Sequence, residues 1–73
     1  MFAENRHEKI AEIIKREGAV SVSYLTAMFK VSAETIRRDL LSMEQKGLLS
    51  RVRGGAVKPG DMKTYMTLQQ RNE

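Results

Sequence analysis

The sequence predicts a mainly α domain with a small β-sheet, three helices and a terminal hairpin. Three observations predict it. Apolar residues recur at helical spacing in two segments, Ile10-Ile13-Ile14 and Ile36-Leu40-Met43. A glycine stands just beyond each, Gly18 and Gly47, where a helix stop takes a left-handed backbone. After Gly47, a β-prone run broken by Gly54-Gly55 reads as a hairpin.

Helix one is expected over 5–17. Asn5 can cap it, and Glu8 stands at the third position to answer the cap. Glu12 precedes Arg16 by four residues, a favourable pair on the outer face. Val20-Ser21-Val22 is β-prone but too short to stand alone, so it needs the later hairpin as a partner. Ser21 caps a second helix over 22–29, with Leu25, Met28 and Phe29 as inner residues. Lys30 falls in the next turn, where glycine would be easier.

Ser32 then caps a third helix over 33–46, and Glu34 suits the positive end of its dipole. Leu48–Arg53 begins a strand, Gly54-Gly55 permits positive φ, and Ala56-Val57-Lys58 returns before Pro59-Gly60 breaks the pairing. The order is helix, short strand, helix, helix, strand, turn, strand. That is a winged helix-turn-helix, and the helices over 22–29 and 33–46 form its two-helix motif.

Composition narrows the function. The 73 residues suffice for one domain, and a chain of that length buries only about 60% of its unfolded surface. There is no cysteine, so neither a disulfide nor a thiolate metal site supports the fold. No signal peptide is visible, and no run approaches the ~18 apolar residues of a membrane span. A cytoplasmic, nucleoid-associated location is expected, with no membrane partner.

The net charge is +4. Residues 1–29 balance four basic groups with four acidic ones, and 59–73 balance two with two. The whole excess lies in 30–58, with seven basic residues against Glu34, Asp39 and Glu44. A basic segment between neutral ones suits a polyanion.

A helical wheel places that charge. With Ile36 at zero and steps of about 100°, the buried stripe centres near ~20°. Arg38 falls near ~200°, Glu34 near ~160°, Thr35 near ~260° and Arg37 near ~100°. Arg38, Glu34 and Thr35 thus form the outward face, and Arg37 flanks it. An outward Arg can bond a guanine edge with two donors, and a flanking Arg can hold a phosphate. Ser32 and the free amides beside it can hold another phosphate at the helix start.

On the strand, period two puts Arg51 and Arg53 on one face, beside the turn at Gly54. Such a wing follows the DNA backbone or enters a narrow minor groove. Lys58 on the return strand is a further candidate contact. Tyr24 has two readings, a phosphate contact or a cover for the core edge.

Each feature also has a plainer explanation. Arg37 and Arg38 alone would be an ordinary solubilising pair with Asp39 as partner. Arg51 and Arg53 alone would be charges protecting a sheet edge. Their combination favours nucleic acid. His7 is the single histidine, which leaves no His-based triad and no metal ligand set. Gly54-Gly55 lacks the spacing and the Lys-Ser/Thr ending of a phosphate loop. No enzyme activity and no cofactor are expected.

These residues closely resemble the N-terminal domain of the DeoR family of bacterial transcriptional repressors. The resemblance covers roughly residues 6–58. It rests on Arg6, the isoleucines of helix one, Gly18, Val20, Leu25, Phe29 and Val31-Ser32. It rests most on the string Thr35-Ile36-Arg37-Arg38-Asp39-Leu40, on Glu44 and Gly47, and on Arg51-Val52-Arg53-Gly54-Gly55-Ala56. Arg53 departs from the family pattern, which tends to have His there, and Lys30 replaces a common Gly.

The resemblance implies sequence-specific binding of double-stranded DNA and repression of sugar or carbohydrate genes. It also implies a larger C-terminal domain that binds a phosphorylated sugar or related effector, in a homo-oligomer. On this reading 1–58 is the DNA-binding domain, and 59–73 is the linker towards an effector domain that this chain does not include. A winged helix serving as a protein-interaction scaffold is the alternative. Such a scaffold would not need arginines on both the third helix and the wing.

Overall fold

The computed structural model describes residues 2–60. It contains α1 (Ala3–Glu17), β1 (Ala19–Ser21), α2 (Val22–Phe29), α3 (Ala33–Gln45), β2 (Ser50–Val52) and β3 (Gly55–Val57). The three strands form one antiparallel sheet in the order β1-β3-β2. The short early strand therefore does find the hairpin, with Val20 opposite Ala56. Three helices, a small sheet and a hairpin beyond the second helix pair make this a winged helix-turn-helix.

The core is where the helical periodicities put it. Ile10, Ile13 and Ile14 of α1 pack with Leu25 of α2, with Ile36, Leu40 and Met43 of α3, and with Val20, Leu49 and Ala56 from the sheet region. Phe29 packs against this cluster half-buried, whereas Met28 is 36% exposed and is not an inner residue of α2. At positions 28 and 29 of an eight-residue helix, one side chain turns inward and its neighbour about 100° away does not.

Helix ends follow local chemistry, with one correction. The N-cap of α1 is Phe2 and has no side-chain cap bond, so Asn5 lies inside the first turn instead of capping it. The Asn5 and Arg6 amides donate to the Phe2 carbonyl. Ser21 does cap α2, its hydroxyl accepting from the Tyr24 amide at 3.0 Å. Lys30 takes φ 58° and ψ 46°, the left-handed conformation that glycine would adopt more easily.

Helix α3 stops at Gln45, one residue earlier than the sequence suggests. Gly47 (φ 78°) donates to Glu44 and Leu48 donates to Met43, the paired bonds of a Schellman stop.

The hairpin differs from expectation by one residue. Val52 pairs with Gly55, so the two turn residues are Arg53 and Gly54, and the return strand is Gly55–Val57. Only Gly54 has a positive φ, 81°. Gly55 is required for a different reason. A Cβ there would lie 2.1 Å from the Val20 carbonyl oxygen on β1. Arg53 accordingly sits in the turn and does not share a strand face with Arg51. Among the described residues, no helix is long and apolar enough to cross a membrane.

Candidate nucleic-acid interface

The short α2-to-α3 connection, Lys30–Ser32, sets the start of α3. The Ser32 hydroxyl accepts from the Thr35 amide at 3.2 Å and meets the Thr35 hydroxyl at 3.0 Å. It is therefore a cap engaged within the helix, and an anion at this end would meet it as part of that arrangement. Thr35 is half-buried.

The outward face of α3 carries Glu34 and Arg38, with side chains 71% and 77% exposed. The two are joined by a 2.8 Å ion pair across one helical turn. An exposed pair of this kind is worth only a few tenths of a kcal/mol, on the order of 0.3–0.5. Arg38 can therefore exchange Glu34 for a base edge or a phosphate at small cost. Arg37, on the flank, is also exposed.

Asp39, which follows the two arginines in the chain, does not pair with them. It is 5% exposed and turns under α3 to meet α1. Arg6 grips it with Nε on Oδ2 at 2.6 Å and Nη2 on Oδ1 at 3.2 Å, and His7 Nε2 lies 3.1 Å from Oδ1. The Asp39 hydrogen bond pushes the Arg6 guanidinium above its ordinary pKa, against the lowering effect of burial. The cluster fixes the inward side of α3 to α1, which leaves the outward side presented.

The wing approaches the other side of α3. Glu44 accepts from the Arg51 amide through Oε2 and from Arg51 Nε through Oε1, both at 2.9 Å. These bonds hold the Glu44 carboxyl below its usual range, the backbone amide contributing most. Arg51 remains 45% exposed, and its terminal nitrogens are the part left for an incoming anion.

Between helix and wing lies a cleft of about 170 Å³, lined by Arg37, Arg51 and Gly54 together with Val22, Leu40, Val52 and Gly55. The structure thus brings together one arginine from α3, one from β2 and the turn glycine. Arg53 is exposed at the wing tip. Tyr24 is 53% exposed and lines a separate hollow beside Ile13, Arg16 and Val20. Lys58 is exposed, and its amide donates to the Gly18 carbonyl. Residues 61–73, most of the expected linker, lie outside the described residues.

The sequence does not reveal Arg6, His7 and Asp39 as a cluster, and it marks Glu44 through the family resemblance, without its contact to Arg51. One sequence signal existed for Glu44. A carboxylate in the last turn of a helix opposes the dipole and so asks for a partner elsewhere. Nothing local points from Asp39 to a partner 33 residues away.

Comparison with known proteins agrees with the geometry. The DeoR-like helix-turn-helix domain matches residues 6–60. The chain is 46% identical over 57 residues to the uncharacterized HTH-type transcriptional regulator YulB of Bacillus subtilis, covering 78% of this chain and 22% of that protein. It is 44% identical over 59 residues to the glycerol-3-phosphate regulon repressor of Escherichia coli, covering 81% and 23%. It is 41% identical over 56 residues to the lactose phosphotransferase system repressor of Streptococcus mutans, covering 77% and 22%.

The chain thus spans less than a quarter of each of these three relatives. No solved structure matches it. A winged helix-turn-helix with paired basic elements, matched over most of its length to one domain family, belongs to the DeoR-like helix-turn-helix domains of transcriptional regulators.

Proposed function

We propose that this chain is the duplex-DNA-reading head of a bacterial repressor of carbohydrate genes. The cleft between α3 and the wing carries the reading, because Arg37, Arg51 and Gly54 line it together. In this reading α3 enters the major groove. Arg38, with Glu34 and Thr35 beside it, meets base edges, while Arg37 and Ser32 meet phosphates. Arg51, Arg53 and Gly54 follow the flanking backbone, and Tyr24 and Lys58 lie at the margins.

The names of two relatives, a glycerol-3-phosphate regulon repressor and a lactose phosphotransferase system repressor, support a carbohydrate role. Residues 1–58 form the reading head and 59–73 lead towards a domain that binds a phosphorylated sugar or related effector. That domain would also supply the homo-oligomer, so the isolated head binds weakly.

Selection of duplexes from a random library, followed by titration across salt, tests this. About four phosphate contacts give a slope of log K against log salt near −3.6. Absence of duplex binding at low salt, or a slope near zero, refutes the reading and favours a protein-interaction scaffold.

A further inference from the structure

Glu44 is badly placed for a helix residue and well placed for the wing. It sits in the last turn of α3, where the dipole disfavours a carboxylate. Both of its oxygens are nevertheless engaged, and by a single residue. One accepts the backbone amide of Arg51 and the other accepts its Nε, each at 2.9 Å. The intervening chain is fixed as well. Gly47 and Leu48 close the Schellman stop, and Leu49 is 2% exposed in the core. The carboxylate therefore fixes two things that the loop alone would not. It sets the offset of β2, an edge strand of the sheet, from α3. It also sets the direction of the Arg51 guanidinium.

We propose that Glu44 is a positioning residue that sets sequence specificity, by holding the wing and the Arg51 guanidinium at one offset from the outward face of α3. The inference rests on the reading of the chain as a DNA-reading head. Its logic is a contrast between charge and geometry. A carboxylate beside a polyanion weakens attraction to every duplex alike. Fixed register helps only where base edges and phosphates must be met together, which is the selected sequence. Removing Glu44 therefore raises affinity for arbitrary DNA and lowers it for the selected duplex.

Two variants with the same charge separate the effects. Glu44→Gln and Glu44→Ala both remove one negative charge, but Gln keeps an acceptor for the Arg51 amide. Each 73-residue variant is titrated with the duplex that the wild-type chain selects and with a scrambled duplex of equal length. The preference for the selected duplex is expected to fall about tenfold in Glu44→Ala and only about threefold in Glu44→Gln. Exchange of the Arg51 amide, followed by NMR without DNA, should quicken about tenfold in Glu44→Ala while the melting of the core is retained.

Equal effects of the two variants, or equal gains on both duplexes, overturn the proposal and leave Glu44 a simple charge. Failure of the wild-type chain to prefer any duplex instead overturns the DNA-reading proposal, and this one with it.

Discussion

Gly54 and Gly55 are adjacent, yet alanine at each should fail for a different reason. At Gly55 the added Cβ would lie 2.1 Å from the Val20 carbonyl oxygen and 3.0 Å from the Ser21 Cα, both backbone atoms that cannot rotate away. Ordinary contact begins at 3.4 Å, so β1 and β3 must separate by about 1.3 Å, the difference of the two distances. A bond such as Val22 N–H to the Gly54 carbonyl, 2.8 Å long, does not survive that shift. Loss of about three such bonds at ~1 kcal/mol each, with partial exposure of Val20, costs about 3–4 kcal/mol. A domain of this size has roughly 3–9 kcal/mol in total.

Gly54 differs because nothing lies within 4 Å of its would-be Cβ, and the cost there is the strained φ of 81° alone. That cost is about 1–2 kcal/mol. Thermal melting by circular dichroism, with urea titration alongside, should show Gly55→Ala melting more than ~10 °C below wild type, well below Gly54→Ala. The chain is short enough for synthesis, so D-alanine at position 54 offers a control that should melt no lower than wild type. If Gly55→Ala melts within ~3 °C of wild type, or Gly54→Ala is the worse of the two, the close approach of β1 to β3 is not what Gly55 is for.

Arg38→Ala should remove about 1–3 kcal/mol of preference for the selected duplex over a scrambled one, read by competition titration with melting unchanged. An equal loss on both sequences would make Arg38 a phosphate contact. Replacing Arg51 and Arg53 together by alanine should weaken both duplexes, the selected one more because the positioned Arg51 guanidinium is lost, and reduce the salt slope by up to about two contacts. An unchanged slope would leave the wing as a protected sheet edge. Arg6→Ala leaves the buried Asp39 carboxylate with His7 as its side-chain partner among the described residues, and urea denaturation should show a loss of about 3 kcal/mol, with a change under ~1 kcal/mol refuting the clamp. Glu44 titrates below its ordinary value of 4.5, so its contribution to stability is fully present above that value and is lost as pH falls through the lowered one. The stability difference between wild type and Glu44→Gln should be flat above about pH 5 and shrink below it.

Much of this fold could be read from local pattern, because its helices obey period and cap. Ile36, Leu40 and Met43 announce the buried stripe, and Ser21 and Ser32 announce the starts of α2 and α3 as found. The outward placement of Arg38 followed from the same wheel. What escaped was non-local. Two glycines in a row read as one turn, because nothing in the hairpin's own sequence reveals that β1 presses against Gly55. The alternation that set Arg53 beside Arg51 assumed a strand one residue longer than the turn allows. Asp39 read as the partner of Arg37 and Arg38 because they lie one and two positions before it, whereas the real partners come from the start of α1. The wing latch joins residues 44 and 51 across a helix stop, where neither helical nor strand periodicity applies.

The strand order has a consequence for how the chain is made. The central strand, β3, is the last described element to leave a ribosome, and its partner β1 is among the first. Ala19 must wait for Val57, 38 residues later, before either can pair. Until then α1, α2 and α3 can assemble with Val20 of β1 packed among them, but β1 has no strand to pair with. Vectorial synthesis therefore leaves α3 formed before the sheet that braces it, and the closing event is the arrival of the hairpin. A nascent chain stalled before Gly55 would display the α3 arginines on an unbraced scaffold, open to proteolysis at β1, and would become resistant only once the last three strand residues emerge.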